Sequence, residues 1–156
     1  PLGLPGWRFM FLIEALPAYA ALFAVALVAA SILPAQSEAA VVAMIATGHS
    51  PFAVVVVATL GNVAGSVVNG GRGRGLARFG NRRWFPVGEA ALGRVRNWYH
   101  RHGRWSLLLS WVPVVGDPLT VIAGVLREPL GVFLALVTVA KAARYVVLAL
   151  GAAALA

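Results

Sequence analysis

The sequence predicts an all-α polytopic membrane protein, with spanning helices and two opposed re-entrant hairpins related as an inverted repeat. Three observations favour this fold class. The 156-residue chain is 60% hydrophobic and 12% charged, with a mean hydropathy of +0.84, unlike an ordinary soluble domain. Two of its apolar segments combine proline with a single acidic residue. Most of its basic residues lie in one segment. A chain of this length forms one membrane domain, with no soluble catalytic domain beside it.

Three apolar blocks, 9–32, 51–69 and 129–156, are predicted to form membrane-spanning helices. About 20 residues at ~1.5 Å each cross a hydrocarbon core of ~30 Å, so these blocks are long enough to span. The second block contains the sequence GNVAG, whose small residues allow another helix to approach closely.

Two further segments, 33–48 and 105–126, are predicted to enter the membrane and return on the same side. The first is too short to span and contains proline and Glu38, and the second is broken by prolines on both sides of Asp117. Proline removes a backbone donor and clashes with the preceding turn, so a helix cannot run smoothly through such a segment. Irregular backbone at this depth must be buried in protein or line a wet cavity. We therefore expect both acidic tips to face inward.

The two predicted hairpins form part of an internal repeat. Pro34 precedes Glu38 by four residues, and Pro113 precedes Asp117 by four. The segments HSPFAVV and REPLGVF begin eleven and ten residues after the two acids, and in each a proline opens a predicted spanning helix. The N-terminus is predicted to be cytoplasmic, and the two copies then have opposite orientations, which is the architecture of secondary transporters.

Segment 70–104 is predicted to be cytoplasmic. Residues 72–104 hold nine of the thirteen basic residues of the chain, and Glu89 alone opposes them. In an apolar chain this pattern indicates the positive-inside rule rather than nucleic-acid binding. Residues 89–102 have the charge density of a surface helix, whereas 70–75, GGRGRG, is expected to be a flexible loop and lacks the GK[ST] of a phosphate-binding loop.

The candidate site residues are Glu38, Asp117, Lys141, Arg144 and Asn62. A charged group near the bilayer centre costs at least ~2.5 kcal/mol, so each needs a reason. Lys141 and Arg144 lie three residues apart on one helical face. The set either binds a charged headgroup or a proton, or consists of ion pairs that only stabilise the fold. Desolvation favours a neutral acid and a nearby cation favours a charged one, and we expect Asp117 to exchange protons and Glu38 to stay ionised.

No cofactor and no metal site are predicted, because the chain has no cysteine and its histidines lack a third ligand type nearby. An intramembrane aspartyl protease needs two aspartates that share a proton, and Asp117 is the single aspartate, so no enzyme activity is expected. The expected partners are membrane lipids with anionic headgroups and protons, not nucleic acid. The sequence leaves homo-oligomerisation open.

At LPAQSE, GNVAGSVVN, FGNRRWF, YHRHGRWSLLLSWVPVVGDPLTVIAGVLREPLGVF and KAARY, the chain resembles the DedA superfamily of SNARE-associated or VTT-domain membrane proteins, in particular its small YqaA-like branch. The resemblance covers residues 32–147. It implies a bacterial inner-membrane protein with two opposed re-entrant hairpins, in a superfamily linked to moving lipids across bilayers. Many members carry R-F-x-P-x-x-R in the second hairpin. This chain has Ser110 and Gly116 at those arginine positions, which leaves Lys141 and Arg144 as candidate substitutes.

The expected function is movement of an amphipathic, phosphate-bearing lipid between leaflets. Two alternatives stay open: a small-solute or proton-coupled exporter, and a non-transporting structural or assembly factor.

Overall fold

The computed structural model describes residues 6–30, 35–79 and 89–155, and every element in these ranges is helical, as predicted. Two of the helices contain stretches, Pro51–Gly75 and Leu130–Ala154, that are long and apolar enough to cross a membrane. Leu33, Pro34 and residues 80–88 of the basic segment lie outside the described residues. In chain order the elements are α1 (Gly6–Ala29), α2 (Ala35–Ala46), α3 (Pro51–Phe79), α4 (Glu89–His102), a 3-10 helix (Gly103–Trp111), α5 (Pro113–Val125) and α6 (Leu130–Leu155).

The first predicted hairpin differs from the observed structure. Residues Ala35–Ala46 form one continuous helix, and Glu38 lies in its first turn rather than at a tip between two half-helices. The helix contains no proline or glycine and consists largely of alanine and other apolar residues, so nothing in its sequence interrupts it.

The second predicted hairpin is a pair of helices that bends at Val112, before the position expected. Val112 has an extended backbone, with φ −77° and ψ 123°, as expected for a residue that precedes proline. The 3-10 helix folds back closely on α5, because a Cβ atom on Gly116 would lie 2.4 Å from the carbonyl oxygen of Ser110. Asp117 therefore lies near the start of α5, just after the bend.

The helix α3 is ten residues longer than predicted, and the expected flexible loop at 70–75 is helical. The glycines in this stretch permit contact between main chains. A Cβ atom on Gly73 would lie 2.0 Å from the carbonyl oxygen of Val121, and one on Gly124 would lie 2.1 Å from that of Gly70. The packing of α3 on α5 therefore overrides the low helix propensity of glycine.

The helices α2 and α5 end in the same way. Gly48 (φ 88°) follows α2 and Arg127 (φ 55°) follows α5, and both adopt a left-handed backbone. Each end carries the paired backbone hydrogen bonds of a Schellman motif: His49 N to Met44 O and Gly48 N to Ile45 O, then Glu128 N to Ala123 O and Arg127 N to Gly124 O. Glu38 and Asp117 each lie ten residues before these left-handed positions.

A constant offset of 79 residues therefore relates the two halves of the chain. It matches Glu38 with Asp117, Gly48 with Arg127, and Asn62 with Lys141. The helix packing follows the same correspondence: α1 contacts α2 and α3 as the 3-10 helix contacts α5 and α6, and α2 packs on α6 as α5 packs on α3. The long helix of each half, α3 or α6, thus packs against the shorter helix of the other half.

Two apolar clusters lie at successive levels along α6. Val137 and Phe133 belong to a cluster with Leu107, Leu119 and Tyr99. Tyr145 and Ala149 belong to a second cluster with residues of α1, α2 and α3. Lys141 and Arg144 lie between these two levels, so the predicted charged residues occur where the apolar core is interrupted.

Candidate functional site

Three polar side chains of α6 form the centre of the candidate site. Lys141, Arg144 and Tyr145 are all buried, in a helix that is otherwise apolar along most of its length. Spacings of three and four residues bring side chains to one face of a helix, so these groups point the same way. A membrane helix that buries two cations requires partners for both.

The first ion pair joins α6 to α2. Arg144 Nε donates a hydrogen bond to Glu38 Oε1 at 2.9 Å, and Arg144 Nη2 donates to the same oxygen. The Arg144 side chain is 7% exposed and that of Glu38 is 32% exposed. Bonds between a guanidinium and a carboxylate are the strong class of protein hydrogen bonds, so this pair holds α2 firmly on α6.

The second ion pair joins α6 to α5 and is longer. Lys141 Nζ lies 3.5 Å from Asp117 Oδ1, at the outer limit of a hydrogen bond. The Lys141 side chain is 3% exposed, whereas that of Asp117 is 20% exposed. In both pairs, then, the cation is more deeply buried than the carboxylate that compensates it.

Asn62 belongs to a chain of neutral hydrogen bonds beside the two pairs. Its Nδ2 donates to Tyr145 Oη at 2.9 Å and to the Ala26 carbonyl at 3.3 Å. Tyr145 Oη in turn donates to Ser37 Oγ at 3.0 Å. This chain connects α3, α6 and α2, and Ser37 is the neighbour of Glu38 in the sequence.

The structure brings all five predicted residues together around α6, as two ion pairs and a chain of neutral hydrogen bonds. Sequence reasoning missed Tyr145 and Ser37. The available signal for Tyr145 was its spacing of four residues from Lys141 on an apolar helix. Ser37 offered no comparable signal.

Four buried polar atoms have no hydrogen-bond partner within the described part of the chain: Thr59 Oγ1, Asn62 Oδ1, Ser110 Oγ and Glu128 Oε1. A buried acceptor without a donor carries a desolvation cost of about 1–3 kcal/mol. Asn62 Oδ1 belongs to the site itself. The site therefore has acceptor capacity to spare, in addition to its balanced charges.

The asymmetry of the two pairs follows from the offset of 79 residues. Asp117 is paired with Lys141 of its own half, but the equivalent partner for Glu38 would be Asn62, which has no charge. The first-half counterpart of Arg144 is Gly65, where a Cβ atom would lie 2.5 Å from the Leu27 carbonyl oxygen, so no side chain fits there. Both cations of the site therefore come from α6. Among the described residues, no group of three or more His, Cys, Asp or Glu side chains is placed to hold a metal ion.

The chain has clear relatives among known proteins. It is 40% identical over 129 residues to the inner membrane protein YqaA of Escherichia coli K12, covering 82% of this chain and 86% of that one. The same values hold for the YqaA protein of Shigella flexneri. An uncharacterized protein of Haemophilus influenzae is 33% identical over 135 residues, which cover 81% of this chain and 82% of that protein. No protein-family model and no solved structure matches the chain.

The fold, the buried charges and these relatives define the chain as a helical membrane protein of the bacterial inner-membrane type. More narrowly, it belongs to the YqaA family of the DedA superfamily, as the sequence motifs predicted.

Proposed function

We propose that the protein lies in the bacterial inner membrane, crosses it several times, and moves a phosphate-bearing lipid between leaflets. The observation that carries this proposal is the pair of buried cations on α6, each compensated by a carboxylate that is more exposed than the cation. A deeply buried cation must keep a negative partner, but a more exposed carboxylate can be replaced.

A lipid phosphate is a suitable replacement for these carboxylates. It carries negative charge and several acceptor oxygens, and Arg144 can bind it through the forked geometry that suits phosphate. Lys141 adds a second positive charge three residues away on the same face. A headgroup bound between them would exchange one set of ion pairs for another without leaving a bare charge in the membrane.

In this mechanism the two acids have different roles. The long contact between Asp117 and Lys141 is the weaker one, so protonation of Asp117 releases Lys141 for the phosphate. The doubly bonded Glu38 holds α2 against α6. No covalent step is involved.

The repeat supports a transporter with two opposed halves. α1 runs parallel to α3, with Phe23 beside Gly61 and Ala30 beside Asn69, so the start of α1 and the last turns of α3 lie at opposite ends. If segment 72–104 is cytoplasmic, the 3-10 helix and α5 therefore approach the site from the cytoplasmic face and α1 and α2 from the other face, as in transporters built from inverted repeats. Cysteine labelling from each face tests this topology, because the chain has no cysteine of its own. Labelling of residues 105 and 127 from opposite faces would contradict the second hairpin.

The transport proposal is tested with purified protein in vesicles. NBD-labelled phosphatidylglycerol and a phosphate-free NBD-glucosylceramide are followed by dithionite quenching. We expect wild-type protein to move the phosphate-bearing probe at least tenfold faster. Lys141→Gln and Arg144→Gln should each abolish that preference, and the exposed Glu14→Gln should not.

Two results would favour the alternatives. Failure to move either lipid, together with uptake of a charged water-soluble probe, would indicate a solute exporter. Normal lipid movement by the neutral double variant Asp117→Asn, Lys141→Met would mean that this pair only stabilises the fold.

A further inference from the structure

One end of the molecule carries exposed arginines from four elements. It is formed by the last turns of α3, by α4, by the start of the 3-10 helix and by the turn from α5 to α6. Among the described side chains, these are Arg72, Arg74, Arg94, Arg96, Arg101, Arg104 and Arg127.

Glu128, in the turn before α6, contacts several residues at this end of the molecule. Arg74 Nη2 donates a hydrogen bond to the Glu128 carbonyl at 2.8 Å. Tyr99 Oη donates to Glu128 Oε2 at 3.0 Å, and Arg104 Nε lies 3.6 Å from Glu128 Oε1. Arg127 precedes Glu128 in the chain. Arg104 thus faces the Glu128 carboxylate, Arg74 bonds its main-chain carbonyl and Arg127 is its neighbour in the chain, so three arginines accompany one acid, with two positive charges in excess.

The carboxylate is held in place from the protein side. Burial and the hydrogen bond to Glu128 raise the pKa of Tyr99 well above its ordinary value, with the Glu128 charge adding to the effect. The phenol therefore stays protonated and continues to donate a hydrogen bond to Glu128. Since Tyr99 is buried in α4, it fixes Glu128, and with it the arginines, on the helix bundle.

The arginines themselves retain free donors. A guanidinium has five N–H groups. Arg74 uses one for the Glu128 carbonyl, and Arg104, whose side chain is 55% exposed, is too far from Glu128 for a hydrogen bond. The Arg127 side chain is exposed and makes no hydrogen bond or ion pair within the described ranges.

We propose that Arg74, Arg104 and Arg127 form a binding site for the phosphate of an anionic lipid headgroup. Charge complementarity supplies the attraction, and forked guanidinium groups suit phosphate oxygens. A lipid fits better than free phosphate because the site borders exposed apolar side chains, Trp105 at 67% and Leu130 at 48% exposure. These can contact the glycerol region and the first part of an acyl chain.

The site is distinct from the buried charges on α6. Lys141 lies eleven residues beyond Leu130, which corresponds to roughly 16 Å along a helix. Binding at the arginines requires no transport, so this proposal can succeed or fail independently of the proposed function.

The test uses the full chain in phosphatidylcholine vesicles with spin-labelled lipids, whose motionally restricted fraction measures binding at the protein surface. Wild-type protein should bind spin-labelled phosphatidylglycerol at least fivefold more strongly than spin-labelled phosphatidylcholine. The triple variant Arg74→Gln, Arg104→Gln, Arg127→Gln should lower this ratio to below twofold.

A matched control removes the same charge from α4. The variant Arg94→Gln, Arg96→Gln, Arg101→Gln changes three exposed arginines that make no hydrogen bond or ion pair with Glu128 within the described residues, and it should keep most of the ratio. Equal loss in both triple variants would overturn the proposal in favour of diffuse attraction. If millimolar inorganic phosphate competes equally with both spin-labelled lipids, free phosphate is the ligand, and the proposal is overturned as well.

If the site triple variant does not fold, single variants decide. Arg104→Gln and Arg127→Gln change exposed side chains, and each should lower the ratio at least twofold. An unchanged ratio in both would overturn the proposal.

Discussion

The two ion pairs of the site should contribute unequally to stability. Glu38→Gln and Asp117→Asn each remove one negative charge and keep the shape of the side chain. Glu38→Gln removes the carboxylate bonded to Arg144, and an arginine cannot lose its proton in a protein. Asp117→Asn leaves Lys141, which can become neutral when buried. We therefore expect the greater loss of stability for Glu38→Gln.

The structure sets the approximate size of the difference. Removal of one partner from a fully buried pair costs about 3–5 kcal/mol. Glu38 is 32% exposed, so part of this cost is relieved by the surroundings, and we expect a loss of about 2–3 kcal/mol. The contact between Asp117 and Lys141 is 3.5 Å long, and with a neutral lysine available the expected loss is about 1 kcal/mol. A difference of about 1.4 kcal/mol is a tenfold difference in the ratio of unfolded to folded protein.

The measurement is unfolding of the purified variants in detergent, with lipid transfer followed in parallel. Glu14→Gln is the control, because this exposed carboxylate should change stability by no more than about 0.5 kcal/mol. Asp117→Asn should fold but lose transfer, remaining in one state. Equal losses for the two acids, or a larger loss for Asp117→Asn, would refute the assigned roles. Full transfer by Asp117→Asn with unchanged stability would remove Asp117 from the mechanism.

Four further substitutions test the packing, the backbone strain and the polar contacts. Gly73→Ala should destabilise the protein by about 1–3 kcal/mol, because the added methyl group clashes with the Val121 main chain. The control Gly71→Ala, whose methyl group meets nothing within 4 Å, should be neutral or stabilising, and unfolding curves of the two variants test this. Arg127→Gly should raise stability by about 1 kcal/mol by relieving a left-handed backbone, and it should weaken binding of spin-labelled phosphatidylglycerol; a loss of stability would contradict the strain. Tyr145→Phe should cost about 1–3 kcal/mol, because it leaves Asn62 and its partners without the shared hydroxyl, and an unchanged melting temperature would show that the chain is unimportant.

Much of the architecture was accessible from the sequence because apolar length and charge placement act locally. The surface helix at 89–102 has the predicted bounds, and α6 closely follows the predicted block. The repeat was visible in the spacing of proline and acid. The five site residues converge because a buried charge in an apolar helix requires a partner, and few partners were available.

The differences arise where tertiary packing decides the conformation. Glycine predicts a loop at 70–75 by propensity, but close contact with α5 makes glycine necessary inside α3. The break near Asp117 is set by Val112, the extended residue before Pro113, rather than by Gly116 and Pro118. The ion pair between Glu38 and Arg144 of the other half could not be predicted. It depends on the first-half positions equivalent to Lys141 and Arg144 being Asn62 and Gly65, which carry no charge. The prediction that the N-terminus and segment 72–104 share the cytoplasmic side is wrong, because α1 packs parallel to α3. Which face is cytoplasmic, and homo-oligomerisation, stay predictions.

The main-chain contacts between α3 and α5 have a consequence for suppressor genetics. The atom that a side chain at Gly73 would meet is a carbonyl oxygen of Val121, which no substitution can remove. A Cβ atom on Gly70, in contrast, would face the ring of Phe133 at 3.3 Å. Loss-of-function changes at Gly70 should therefore yield intragenic revertants with a smaller residue at Phe133. Changes at Gly73 should revert only at the original codon.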